Sequence, residues 1–461
     1  MGFIMLFPSF TFVLAFLPLT LIGYFLLGKK SGTAARVWLL CASLVFYSWF
    51  NHSYFFIIAG SIVVNYALSQ WLWKKPSKWV FVFGALLNIA FLGYFKDYDF
   101  MVENINAVFG SALVLKHILL PLGISFFTFQ QISYLHSVYA RTIKERYSFL
   151  TYALFVSFFP QLIAGPIVLP DEMMPQFDHK DSLKVNMDNF ARGIFAFALG
   201  LGSKMLLADF FAEIADAGFA SGCKGFLPAW KTALAYTFQI FFDFGGYCDM
   251  AYGIALMFNI RLPQNFDAPY RSNGISEFWR RWHMTLGRFL STYIYIPLGG
   301  SRKSHFRTCL NLLVTFFVSG LWHGASWLFG LWGMLHGGAA VIQRCWQKWS
   351  KIRLPEFAGR LLTFIFVVVA WVLFRAETVA QAQGVYRGMF NPQTLGLEVL
   401  KLGKDWVLFI VGGLIVLFAP PVYALAEKFR PCWWNAVITI AVLVASIFCF
   451  VKSSPFIYFN F

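Results

Sequence analysis

Apolar runs of spanning or near-spanning length recur along the whole of this 461-residue chain, at 7–27, 37–50, 54–73, 79–95, 117–139, 147–167, 190–207, 230–258, 309–328, 328–342, 361–374, 406–418 and 437–451. With 59% hydrophobic and only 13% charged residues, there is more apolar side chain than a soluble core can absorb. The chain therefore reads as an all-α polytopic membrane protein. Several runs fall short of the about 20 residues that a straight crossing needs. We expect about eleven transmembrane helices plus re-entrant and interfacial amphipathic helices around a central cavity or tunnel, because irregular backbone at membrane depth must be covered by protein or water. No internal repeat, low-complexity tract or long linker divides the sequence, so residues 1–461 read as a single membrane domain.

The first run is preceded by no basic residue and followed by Lys29 and Lys30. It reads as an uncleaved first span rather than a signal peptide, with the N-terminus on the extracytoplasmic side. Turns then alternate. Lys29, Lys30 and Arg36 form one basic loop, 51–53 carries neither Lys nor Arg, and Lys74, Lys75 and Lys78 form the next. The loop with Asp97, Asp99 and Glu103 is acidic, and Arg141, Lys144 and Arg146 return to the basic side. This is the positive-inside pattern, and it fades at the mixed-sign loop 171–188. The net charge of +16 is accounted for by cytoplasmic loops meeting anionic lipid headgroups. Membrane lipids are thus expected partners and nucleic acid is not. Seven cysteines, mostly in or beside apolar runs, read as small core residues. No CxxC or His–Cys spacing suggests a metal, so none is expected.

Segment 319–337, SGLWHGASWLFGLWGMLHG, places His323 and His336 inside membrane-like sequence. Ionisable groups there are costly; they face a bundle interior or a watery cavity, and mark function or a bond to a neighbouring helix. If the segment is one helix, thirteen residues put His336 roughly 20 Å from His323, so the two cannot share a reacting centre.

Segment 261–302, RLPQNFDAPYRSNGISEFWRRWHMTLGRFLSTYIYIPLGGSR, is not a spanning helix. Over 276–290, helical spacing puts Phe278, Trp279, Trp282, Leu286, Phe289 and Leu290 on one face and Arg280, Arg281, Met284 and Arg288 on the other. That describes an interfacial amphipathic helix with Glu277 in its first turn. His283 falls at the edge of the apolar face. The arginines can bind lipid or the phosphates of a soluble donor. Elsewhere, Asp243 and Asp249 flank Gly245 and Gly246, and Gln130, Gln131 and His136 lie in another apolar run. Glycines beside acids and aromatics suggest a broken helix lining a solvated interior, although interhelical hydrogen bonding and close packing use the same residues.

FWRRWH followed by GLWHGASW, with QNFDAPYR upstream, YIPLGG between and a closing PFIYFNF, resembles membrane-bound O-acyltransferases of the alginate O-acetyltransferase type. The resemblance runs from LFPSFTFVLAFLP through LPLGISFFTFQ and FFPQLIAGPIV to the last residue. It implies a bacterial inner-membrane enzyme that takes an acetyl group from acetyl-CoA and delivers it toward a polysaccharide hydroxyl outside, together with an extracytoplasmic acetyltransferase partner protein. It puts the catalytic histidine at His323 and the second motif histidine at His283. In acyl transfer from a thioester to a hydroxyl, His323 suits the general base, with an acyl-histidine the less favoured variant. His283 would orient the donor or stabilise the oxyanion, and Trp279, Arg280 and Arg281 would lie near CoA. The chain departs from close relatives at Ser291 and Thr292, where they carry Arg-Asp, at Leu169 and Pro170, where a basic residue follows GPIV, and at His136, where they carry Asp. These departures leave alginate, cellulose and peptidoglycan open as acceptors. D-alanyl transfer to teichoic acid and export of a glycan or solute are the alternatives.

Overall fold

The computed structural model describes residues 5–223, 225–397, 404–452 and 454–459. Every regular element among them is helical. Five helices are long and apolar enough to cross a membrane: Thr11–Gly28, Ser53–Lys74, Lys78–Lys96, Met187–Ser221 and Glu356–Arg375. Gly32–Ser48, Asp405–Phe418 and Trp433–Phe448 are shorter apolar helices. The expected number of crossings is therefore not reached on helix length alone.

The residues group into two compact units, one of 1–201, 247–263 and 426–451, the other of 202–246, 264–425 and 452–461. In the first, serines within the basic loops begin helices: Ser31 and Ser77 side chains accept from the backbone N–H groups of Ala34 and Val80, which satisfies donors that a helix start leaves open. Buried polar side chains are paired across helices. Asn88 Nδ2 donates to Asn65 Oδ1 at 2.6 Å and Asn65 Nδ2 returns the bond at 3.2 Å. Gln131 donates to Ser61 at 2.9 Å and accepts from Tyr152 at 3.2 Å. Gln131 is thus an interhelical brace, while His136 is half-buried beside Phe81.

The stretch around Gly245 and Gly246 does not break its helix. Phe226–Met257 is a continuous helix of 32 residues, and Gly253 instead serves close approach, since a Cβ there would meet Gly193 O at 2.5 Å. Small residues at helix contacts do this in membranes.

In the second unit, Lys204 is 3% exposed yet fully engaged. Its ammonium lies 2.7 Å from Asp209 and 2.9 Å from Asp243 and donates to Ser454 Oγ at 3.1 Å. Ser454 Oγ also donates to Asp209 at 2.5 Å, and the Ile457 N–H donates to Asp243 at 2.8 Å. The two carboxylates thereby hold the closing segment 454–459. Removing one member of such a buried set strands charge. Lys204→Ala is expected to lower stability by about 3–5 kcal/mol, seen as a clear fall in melting temperature in detergent; an unchanged melting temperature would show that the closing segment is held by other means.

Candidate active site

The segment carrying His323 and His336 is a hairpin, not one helix. His305–His323 ends at Gly324, whose backbone is extended, and Trp327–Trp349 begins after Ser326, whose side chain accepts from the Leu328 N–H. The arms touch backbone to backbone. A Cβ on Gly320 would meet Phe329 O at 2.2 Å, and one on Gly333 would meet Phe316 O at 2.2 Å. His323 and His336 consequently flank one indole: Trp332 lies 5.3 Å from the first ring and 4.8 Å from the second. The single-helix separation of the two histidines is thus replaced by a shared neighbour.

The amphipathic segment is also broken, at the histidine. Ile275–Arg281 and Met284–Leu290 are separate short helices, and His283 between them has φ 47° and ψ 51°. A non-glycine residue holds this left-handed conformation only when its surroundings impose it. Asn265 imposes it here. Its backbone carbonyl accepts the Met284 N–H at 2.9 Å, and its Oδ1 accepts from the Thr285 N–H at 3.2 Å, from Thr285 Oγ1 at 2.9 Å and from His283 Nδ1 at 3.2 Å. The faces otherwise fall as expected, with Phe278, Trp282, Leu286, Phe289 and Leu290 buried and Arg280 exposed.

His283 and His323 are 1% and 3% exposed, with ring centroids 6.3 Å apart, near enough for both to reach one substrate group. Burial pushes the His283 imidazole down to about 3, so the ring is neutral. Because Asn265 Oδ1 must accept from the Thr285 N–H, the bond network assigns the His283 proton to Nδ1. Its Nε2 then carries a lone pair, and among the described residues that atom is buried without a hydrogen-bond partner. His323 is the last residue of its helix. Phe374 and Tyr458 close around it at 5.1 and 5.8 Å, and Tyr458 packs at a tilt against Phe244, ring centroids 4.3 Å apart. The clamp at Lys204 thus fixes the segment that supplies a wall of the site.

The remaining expected residues are dispersed. Trp279 donates its indole N–H to His336 Nδ1 at 3.2 Å, which places it inside the ring cluster. Arg281 is bound to Glu277 at 2.9 Å and to Asp267 at 3.3 Å; burial raises the Glu277 carboxyl, but the Asn273 N–H and Arg281 outweigh it and hold the group below its ordinary range. A cavity of about 1270 Å³ adjoins this region, lined among others by Asn273, Ile275, Gln343, Lys351, Arg353 and Phe366. Phe366 also lies 5.2 Å from the His336 ring. Trp279, Arg280 and Arg281 are not among its lining residues. Sequence reasoning missed Asn265, Lys204, Trp332 and Tyr458. Asn265 stood inside the quoted QNFDAPYR motif, and Lys204, an ammonium in an apolar run, was itself a signal.

Residues 3–380 match the model of MBOAT, the membrane-bound O-acyltransferase family. The chain is 42% identical to a peptidoglycan O-acetyltransferase of Helicobacter pylori, over 87% of this chain and 82% of that protein. It is 39% identical to a "probable alginate O-acetylase AlgI" of Pseudomonas aeruginosa, over 86% and 77%. A teichoic acid D-alanyltransferase of Streptococcus thermophilus is more distant, at 26% identity over 69% and 81%. A family match over most of the chain, joined to two histidines buried beside each other in a helical membrane fold, makes this protein a member of the membrane-bound O-acyltransferase family.

Proposed function

We propose that this chain is an O-acetyltransferase that takes an acetyl group from acetyl-CoA on the cytoplasmic side of the bacterial inner membrane and delivers it toward hydroxyls of an extracytoplasmic polysaccharide. The buried apposition of His283 and His323, at 6.3 Å, carries the reading. The two most similar relatives named above act on peptidoglycan and alginate, which favours a glycan acceptor. D-alanyl transfer is the weaker reading, since its named representative is the most distant of the three.

In this reaction the acceptor oxygen attacks the thioester carbonyl, His323 takes the hydroxyl proton, the carbon–sulfur bond breaks and the proton passes to the CoA thiolate. His283, with its Nε2 lone pair, accepts a hydrogen bond from a second hydroxyl of the acceptor and so orients the attacking one toward His323. It cannot donate to an oxyanion in that tautomer. Trp332 supplies the donor: its indole N–H is 0% exposed, lies beside His323 and has no hydrogen-bond partner among the described residues. A preformed N–H aimed at developing charge is the arrangement acyl transfer needs. The cavity beside His336 is large enough for a nucleotide-sized donor, and Lys351 and Arg353 at its wall offer charge for phosphates. Donor inside and acceptor outside call for a path through the protein, with His323 at its narrow middle.

Base-labile acetyl esters on envelope and secreted glycans, measured by mass spectrometry, test this. One ester is expected to vanish both without the protein and with His323→Ala at matched abundance; persistence of every ester in both strains would refute acyl transfer. Trp332→Phe, which keeps the ring and removes the N–H, is expected to lower kcat about 10²–10³-fold with KM little changed. Asn265→Ala is expected to cost about a hundredfold in rate, and near-wild-type turnover would show that His283 needs no such brace.

A further inference from the structure

At the end of the hairpin remote from His323, three side chains converge that the reaction does not use. His305 and Cys309 are one helical turn apart on the first arm, and Cys345 faces them from the second. One ligand atom from each lies within 4.8 Å of the others, with His305 Nε2 3.5 Å from Cys345 Sγ. We propose that His305, Cys309 and Cys345 form a binding site for a zinc ion.

The donor chemistry selects the metal. Two thiolates and a neutral imidazole suit zinc, whose bonds of about 2.3 Å to sulfur and about 2.0–2.1 Å to nitrogen in a tetrahedron set the ligand atoms roughly 3.4–3.8 Å apart. The observed spread reaches that with small side-chain rotations. Binding two thiolates to a divalent ion leaves no net charge, and each thiol loses its proton to solvent as the ion enters. All three residues are partly exposed, so an ion can reach them and water can fill the fourth position. His305 is held by Trp349, 4.9 Å away.

Sidedness agrees. Arg302, Lys303 and Arg307 lead into the first arm, and Arg344, Lys348, Lys351 and Arg353 surround the end of the second. Basic residues at both ends place this edge on the cytoplasmic side, where thiols remain reduced. The ion would staple the hairpin whose other end carries His323. The expectation of no metal-binding His–Cys spacing is revised here, because two ligands four residues apart gain their third, Cys345, only once the hairpin folds.

The test is a cobalt titration of the reduced, metal-stripped full-length protein in detergent. About one equivalent of Co²⁺ is expected to give thiolate-to-cobalt charge-transfer absorption that Zn²⁺ displaces, and zinc is expected to raise the melting temperature. Cys309→Ser and Cys345→Ser should each abolish the band, while Cys41→Ser and Cys432→Ser, at exposed thiols elsewhere, should keep it. Absence of the band in the wild-type protein, its survival in both cluster variants, or a Cys309–Cys345 disulfide in protein isolated with its thiols blocked would each overturn the proposal.

Discussion

The Asn265 side-chain oxygen is the atom on which the geometry of the site turns. It accepts from the Thr285 backbone, the Thr285 hydroxyl and His283 Nδ1, and so fixes three things together. The chain between two short helices is held in a left-handed turn, the imidazole is pinned in one tautomer, and its ring is held 6.3 Å from that of His323. None of these would persist in a low-dielectric interior without an acceptor to satisfy the exposed donors, because an unpaired buried N–H costs about 1–3 kcal/mol. Breaking the helix at His283 is possible because the neighbouring segment supplies the hydrogen bonds that the helix gives up.

The second requirement is close approach. Gly320 and Gly333 let the two arms of the hairpin meet through backbone, where any side chain would force them apart. That contact brings Trp332 between His323 and His336. The buried Lys204 set then anchors the closing segment so that Tyr458 packs beside His323. Charged groups in such places contribute little net stability; their use here is positional, since they fix the backbone of 454–459 while Phe456 and Tyr458 pack against Phe244.

Much of this was legible in the residues. The helical membrane class, the burial of Phe278 and Trp282, and the burial of both motif histidines all follow from pattern and motif. The breaks were harder to read. A 3.6-residue periodicity through 276–290 carries no mark of a left-handed residue at His283, because the cause, Asn265, lies 18 residues away. The interruption at 324–326 had a local sign, a glycine followed by a capping serine, but the unbroken apolar character on both sides masked it. Conversely, Gly245 and Gly246 suggested a break that Phe226–Met257 does not have, because glycine permits a bend without requiring one. Charge in the sequence likewise does not reveal that Glu277 and Asp267 pair with the Arg281 guanidinium.

The central claim is that one buried pair of histidines transfers an acyl group from a donor on one side of the membrane to a hydroxyl on the other. Reconstitution into liposomes with radiolabelled acetyl-CoA outside and a soluble glycan acceptor sealed inside measures it directly, with vesicles sorted so that the basic loops face the donor. The account predicts labelled ester on the enclosed acceptor with the wild-type protein and none with His323→Ala. Equal labelling with both proteins, or none with either when the donor and acceptor classes are varied, would contradict it.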